Sequence, residues 1–185
     1  MREHNNLMFL IQDENFLREE QKLFINNYLL APNFPYYLNK ASVEENDENP
    51  YLSHTVLRRP EERKPGESFI SDSSDQIVDI FKTFIIKNKI NTEELLRCTI
   101  NLCFKTKNKS CLIHNDHDYK HKQLIIYLND PMDKTSKTFL LNDTQDKILH
   151  RITPKQYKGV CFDSCPHYFN NPKKDIRVAL VYTFR

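Results

Sequence analysis

Cys111-Leu112-Ile113-His114-Asn115-Asp116-His117-Asp118-Tyr119 is the stretch on which the reading of this chain turns. In an extended segment side chains alternate between faces, so His114 and Asp116 point one way and Asn115 the other. An imidazole and a carboxylate therefore converge. Far downstream, His167 stands in Ser164-Cys165-Pro166-His167-Tyr168, and Arg177 lies near the start of the most apolar run of the chain, Ile176 to Phe184. Adding the second imidazole gives two histidines and one carboxylate, the donor composition that holds Fe(II) on one face and leaves its other positions open. That composition has a use only if the fold brings residues 114 and 167 together.

From Arg97 onward apolar residues recur at every second position. Turn signals at Lys107-Asn108-Lys109, Asn129-Asp130-Pro131, Asn142-Asp143-Thr144 and Asn170-Asn171-Pro172 divide the pattern. The strand-like runs are 98–106, 110–116, 122–129, 137–142, 147–152, 158–163 and 176–185, with a short extra one at 166–169. Seven or eight short strands after a helical N-terminal part predict a mainly β fold with flanking helices (α+β). The architecture expected is a double-stranded β-helix, or jelly-roll barrel, of two facing sheets. An open α+β sheet would leave His114 and His167 without a reason to meet.

Upstream, Leu17, Phe24 and Tyr28 form a helical stripe within residues 14–31, ended by Pro32 and Pro35. Residues 41–72 dissolve into Glu, Asn, Asp, Pro and Ser. This predicts irregular loop with one short strand near 53–57, and a loop of that length is a candidate lid. Ser73-Ser74-Asp75-Gln76 reads as a capping box opening a helix that runs to about Asn88, and Asn91-Thr92-Glu93-Glu94 as one more short turn. The whole, residues 1–185, reads as one domain, with helical and loop support in 1–96 and the jelly-roll core in 97–185.

Composition narrows the function. Lys plus Arg is 27 against 25 Asp plus Glu, so no overall field advertises a polyanionic partner, and nucleic acid is disfavoured as a substrate. Only Gly66 and Gly159 are glycine, which leaves no place for a P-loop or a dinucleotide fingerprint. The apolar run Leu7 to Ile11 is too short for a signal or a membrane span, so the expectation is a soluble, cytoplasmic protein with no membrane partner. Five cysteines, an odd number, agree with reduced thiols.

Other residues carry competing readings. Arg177 shares a face with Ala179, Val181 and Thr183, opposite Val178, Leu180, Tyr182 and Phe184. Alternation does not say which face is the inner one. Inside a barrel the guanidinium needs a counter-anion, because an unpaired buried charge costs several kcal/mol. A ligand carboxylate supplies it bidentately. Facing out, the same residue would snorkel to solvent. Cys161, Cys165 and His167 offer donors for Zn(II), although Cys161 reads as strand interior. His117 and His121 read as solvent-facing, with His117, Asp118 and Tyr119 as candidates for the substrate mouth. His54 and His150 read as structural or exposed, and Tyr36 and Tyr37 as packing aromatics.

The ordered set of HxD, distal histidine and a basic residue ten positions later resembles the 2-oxoglutarate/Fe(II)-dependent dioxygenases. The nearest branch is the prolyl-4-hydroxylase-like one, with its small phage-type single-domain members. Arg97-Cys98-Thr99-Ile100-Asn101-Leu102, Ile125-Ile126-Tyr127-Leu128-Asn129, Tyr157-Lys158-Gly159-Val160-Cys161-Phe162 and Arg177 occur in the family's order. The resemblance covers residues 97–185 and is faint before them. It implies that His114, Asp116 and His167 are the catalytic Fe(II) ligands and that Arg177 binds the distal carboxylate of 2-oxoglutarate. It further implies that Asn101 and Tyr127 contact this co-substrate, that O2 is the oxidant and that ascorbate serves as reductant. Oxidative decarboxylation to succinate and CO2 would then drive hydroxylation of a substrate. Two departures stand out: Cys103 where prolyl hydroxylases often carry a tyrosine, and Lys134-Thr135-Ser136-Lys137 in place of a Gly-rich approach.

Three functions follow from different classes. The first is hydroxylation of a peptide or protein side chain such as proline, with 41–72 closing over an extended substrate. The second is the same chemistry on a nucleobase or small metabolite. The third is a non-catalytic metal-binding jelly roll, against which Arg177 argues, since a structural metal has no use for a carboxylate clamp.

Overall fold

Alternating apolar residues in the C-terminal half pair into two antiparallel sheets in the computed structural model, which describes residues 9–45, 47–132 and 134–185. The larger sheet contains β1 (Leu10–Asp13), β2 (Tyr37–Asn39), β3 (Tyr51–Leu57), β4 (Leu95–Cys103), β5 (Lys122–Tyr127), β8 (Gly159–Asp163) and β10 (Arg177–Phe184). Its order is β1-β8-β5-β10-β4-β3-β2. The smaller sheet is β7 (Ile148–Ile152), β6 (Thr138–Leu141) and β9 (His167–Phe169), in that order.

The two faces of the larger sheet bury different things. Its outer face carries Ile100, Leu124, Ile126, Leu180, Tyr182 and Phe184 against α1 (Glu19–Phe24) and α2 (Ser74–Lys87). Its inner face carries Ile125, Tyr127, Val160, Phe162, Ala179 and Val181 against Leu140, Ile152 and Cys165 of the smaller-sheet side. The sheets therefore face each other as a jelly roll, and all of β10 is buried because it is covered on both sides. Gly159 makes the outer packing close: a Cβ there would lie 2.5 Å from the Phe84 ring, which meets Phe16 edge-on at 4.9 Å.

Several local expectations need correction. The first helix starts at Glu19 rather than 14, because Phe16 and Leu17 enter the core before it. It continues as a π-helical turn over Ile25–Leu29. The capping box at Ser73 does not form: the Ser73 hydroxyl meets that of Ser71 at 3.0 Å and makes no cap bond. Residues 91–94 are not a helical turn but run into β4, with the Glu94 and Arg185 backbones exchanging hydrogen bonds of 2.8 and 3.0 Å. The strand near 53–57 is longer, as β3. Neither β1 nor β2 was expected; both are short edge strands, and Tyr37 on β2 is exposed rather than packed.

The run 110–116 forms no ladder. It bridges the 167–170 segment only at Ser110↔Asn170 and His114↔His167, with three residues between the bridges on one side and two on the other. That extra residue is a bulge, and it exposes Leu112 and Ile113 together where alternation would have split them. Leu7 and Met8 of the N-terminal apolar run, and the first eight residues of the 1–185 domain reading, lie outside the described residues. Among the described residues no helix is long and apolar enough to cross a membrane.

Candidate active site

The bulge fixes the first two site residues relative to the third. Backbone hydrogen bonds run both ways between His114 and His167 at 3.0 Å, so the two side chains leave adjacent points of one sheet edge. Their ring centroids are 4.5 Å apart. One ligand atom each of His114, Asp116 and His167 lies within 4.8 Å of the other two. No other such group of three exists among the described residues.

Both imidazoles are oriented the same way. His114 Nδ1 lies 2.9 Å from the carbonyl of Leu112, and His167 Nδ1 lies 2.9 Å from that of Cys165. A proton on Nδ1 in each leaves Nε2 with its lone pair for a metal. Asp116 is held from its other side: Arg97 Nη1 donates to Oδ1 at 2.6 Å, and Arg59 donates to the Asp116 carbonyl at 2.6 Å. Oδ2 is buried with no partner and lies 3.5 Å from His167 Nε2. Burial opposes ionisation of this carboxyl, but the neighbouring Arg97, His167, His114 and Arg59 outweigh it and hold the carboxyl well below the usual range. Burial, then the neighbouring His114, pushes the His167 imidazole down to about 4. At neutral pH the site therefore presents a neutral His167 nitrogen and an anionic Asp116 oxygen beside the His114 imidazole, a donor set that fits a divalent iron.

A cavity of ≈ 150 Å³ runs from these three residues to Arg177, with Asn101, Ile125 and Val181 among its walls. Arg177 is 3% exposed and faces inward, so alternation left open a choice that the packing of β10 settles. Its Nη2 donates to Thr138 Oγ1 at 3.2 Å, and its Nε has no partner. The guanidinium lies 4.4 Å from the Phe169 ring centroid and 5.3 Å from that of Tyr127. Among the described residues no carboxylate pairs with it.

Asn101 reaches the cavity and accepts from Thr99 Oγ1 at 3.2 Å. Tyr127 stands one step back, its hydroxyl 2.8 Å from Thr138 Oγ1, and meets the cavity through Thr138 and Arg177. His117 and His121 are not solvent-facing: both are 6% exposed and their rings meet at 4.9 Å. With Tyr119 they line a second basin of ≈ 720 Å³. The zinc alternative fails, because Cys161 packs in the outer cluster and Cys165 in the inner one. Burial pushes both thiols up to about 12.

Sequence reasoning missed Arg97, Arg59, Tyr51 and Gln123. Arg97 was available, since it has the parity of Asn101 on the same strand. Gln123 likewise shares a face with Ile125 and Tyr127. Arg59 sits where no periodicity exists. The loop read as a candidate lid does reach the cavity, through Ser42, Val43, Tyr51 and Arg59.

A scan against family models finds no match, and a search of curated proteins finds none. Solved structures do match. A 2OG-Fe(II) oxygenase-family oxidoreductase from Burkholderia pseudomallei superposes with a TM-score of 0.72 at 16% identity, over 95% of this chain and 84% of that one. The fold is that of the 2-oxoglutarate/Fe(II) oxygenases. A prolyl-4-hydroxylase from Pseudomonas putida matches with a TM-score of 0.62 at 14% identity, over 97% of this chain and 93% of that one. A Trichoplax adhaerens prolyl hydroxylase, solved in complex with a hypoxia inducible factor peptide fragment, gives 0.63 at 15%, over 95% and 82%. The match spans nearly the whole chain, so the oxygenase fold includes the N-terminal half, where the sequence resemblance is faint.

Proposed function

We propose that this protein is an Fe(II)- and 2-oxoglutarate-dependent oxygenase, with His114, Asp116 and His167 as metal ligands, and that it hydroxylates a peptide or protein side chain such as proline. One observation carries the reading: a buried arginine with no acid partner closes the cavity whose other end is the only His/Asp/His group among the described residues. Burying a lone guanidinium is costly unless a ligand carboxylate completes it. A small dicarboxylate reaching from the metal to Arg177 does so.

When bound, Fe(II) with 2-oxoglutarate and O2 supplies the oxidising chemistry, and the keto acid leaves as succinate and CO2. The chain supplies position. His114 and His167 present Nε2 because their Nδ1 protons are engaged, and Arg97 restrains Asp116 through Oδ1 so that Oδ2 faces the metal position. Arg177 orients the far carboxylate, held between Phe169 and Tyr127. Ile125 and Val181 keep the connecting space apolar. The peptide assignment is supported by the prolyl hydroxylases among the matching folds and by a cavity mouth built from the 41–59 segment.

The test is to incubate the protein with Fe(II) and 2-oxoglutarate in air beside peptide, nucleoside and metabolite pools. Succinate formation, with one added oxygen atom in a peptide, is expected. Oxygen gained only by a nucleoside or metabolite would move the substrate class. No consumption of 2-oxoglutarate under any condition would end the oxygenase reading.

A further inference from the structure

The chain is close to electrically balanced, yet one basin is not. At the outer side of β6 and β9 a concavity of ≈ 760 Å³ is lined by Lys105, Lys107 and Lys109, by Lys134, Lys137 and Arg151, and by Lys173, and among the described residues no carboxylate lines it. Elsewhere on the surface cations sit with anions: Arg18 with Asp79 at 2.5 Å, Lys22 with Glu19 at 2.6 Å, Lys87 with Asp13 at 3.0 Å, Lys122 with Asp163 at 2.5 Å and Arg185 with Glu94 at 2.8 Å. Lys105, Lys107, Lys109, Lys134, Lys137 and Arg151 make no ion pair with any described carboxylate. With 27 basic and 25 acidic residues overall, this leaves the remainder of the molecule net acidic. Such segregation is a local field that the net charge conceals.

The lysine edge is also built, which an ordinary solvated turn is not. Along 105–109 exposure alternates, with Lys105, Lys107 and Lys109 outward and Thr106 and Asn108 tucked under. Thr106 Oγ1 donates to Asn49 Oδ1 at 3.0 Å, and Asn108 Nδ2 donates to the Asp47 carbonyl at 2.8 Å. The buried Asn171 ties the two with bonds from Nδ2 to Asn49 Oδ1 at 2.7 Å, Thr106 Oγ1 at 2.8 Å and the Asn108 carbonyl at 3.1 Å. Four polar side chains thus fix the backbone that aims three ammonium groups into one groove. The floor is aromatic: Phe139 lies parallel to Tyr168 with centroids 4.6 Å apart, and its cross-strand neighbour is Arg151.

We propose that this basin binds the phosphate backbone of a single-stranded nucleic acid. Six of the seven cations are lysines, point charges that suit phosphate rather than the planar fork that arginine offers a carboxylate. The groove is concave, and Phe139 and Pro172 are the apolar side chains among the described residues that line it, too few to insert into an acyl layer, which disfavours a lipid surface. It lies on the far side of β6 from the cavity that Thr138 lines, so the inference does not depend on the oxygenase reading.

The test is fluorescence anisotropy with a labelled single strand of about 16 nucleotides, the upper end of common single-strand site sizes. The parent should bind at near-physiological salt with a dissociation constant between roughly 1 and 100 μM, the range of sequence-independent contacts. Replacing Lys105, Lys107 and Lys109 together by Gln should weaken binding by about tenfold or more and reduce the log–log salt slope by about two. Lys137→Gln with Arg151→Gln, on the opposite wall, should weaken it independently. A control that removes equal charge elsewhere, Lys40→Gln, Lys64→Gln and Lys82→Gln, should leave it unchanged. Absence of binding by the parent, or equal loss in the control, overturns the proposal. So does polyglutamate or a phosphatidylserine vesicle binding the basin more tightly than the oligonucleotide, which would assign it to an acidic protein or a membrane.

Discussion

Tyr182 and Arg177 lie on one strand, one on each face of the larger sheet, and both are almost wholly buried. On the outer face the Tyr182 hydroxyl donates to the Ile77 carbonyl at 2.7 Å, and the surrounding cluster is apolar. On the inner face Arg177 Nε and Gln123 Oε1, and in the same cavity Asp116 Oδ2, are buried without partners. Leaving such atoms unmet costs about 1–3 kcal/mol each, more where the group is charged. The outer face therefore holds the fold together, and the inner face keeps polar atoms in reserve for groups that are not part of the chain.

That contrast can be broken by substitution. His114→Ala on the inner side should lower succinate formation more than about a hundredfold, beyond what loss of a ligand-orienting partner costs. Its unfolding midpoint without metal should stay close to the parent's, and a simultaneous collapse of stability would place His114 with the structural residues instead. Phe84→Ala on the outer side should do the reverse. It should cost about 3–5 kcal/mol in chemical denaturation, while whatever remains folded keeps the parent's affinity for 2-oxoglutarate.

Arg177→Met sharpens the comparison, because it should weaken 2-oxoglutarate binding about 10- to 100-fold, as loss of a charged hydrogen-bonded pair does. Metal affinity should change far less, and the metal-free protein should become no less stable, since an uncompensated buried charge is removed. Isothermal titration with Mn(II) and with 2-oxoglutarate separates these effects. The last comparison concerns pH. His167 is held neutral down to about 4, whereas in an unfolded chain it takes a proton near 6.5. The unfolded state then binds more protons between these values, so stability is fully present above about 6.5 and is lost as pH falls toward 4, by up to about 3 kcal/mol. Urea unfolding of the metal-free protein at pH 7 and pH 5 should show this slope, and His167→Asn should flatten it.

The strands from 122 to 163 and 177 to 184 were legible because their side chains alternate over ladders whose register shifts, at Leu140/Leu141 and Thr183/Phe184, fall only at strand ends. Residues 110–116 were not, for the bulge that aims His114 and Asp116 is the same irregularity that breaks the alternation. Function and misreading share one cause there. The edge strands at 10–13 and 37–39 are too short for a period to register. Of the site, the three converging residues and Arg177 were readable from composition and order. Arg59 was not, because it comes from irregular chain beside Pro60 and reaches Asp116 only through tertiary contact.

The most direct measurement is anaerobic visible spectroscopy of the Fe(II)-loaded protein titrated with 2-oxoglutarate. A keto acid chelating iron in this site should give a charge-transfer band that saturates at one equivalent in the parent, is missing in His114→Ala and needs a much higher concentration in Arg177→Met. A folded, iron-loaded parent that shows no band, or a His114→Ala protein that shows the same one, would contradict the assignment of the cavity.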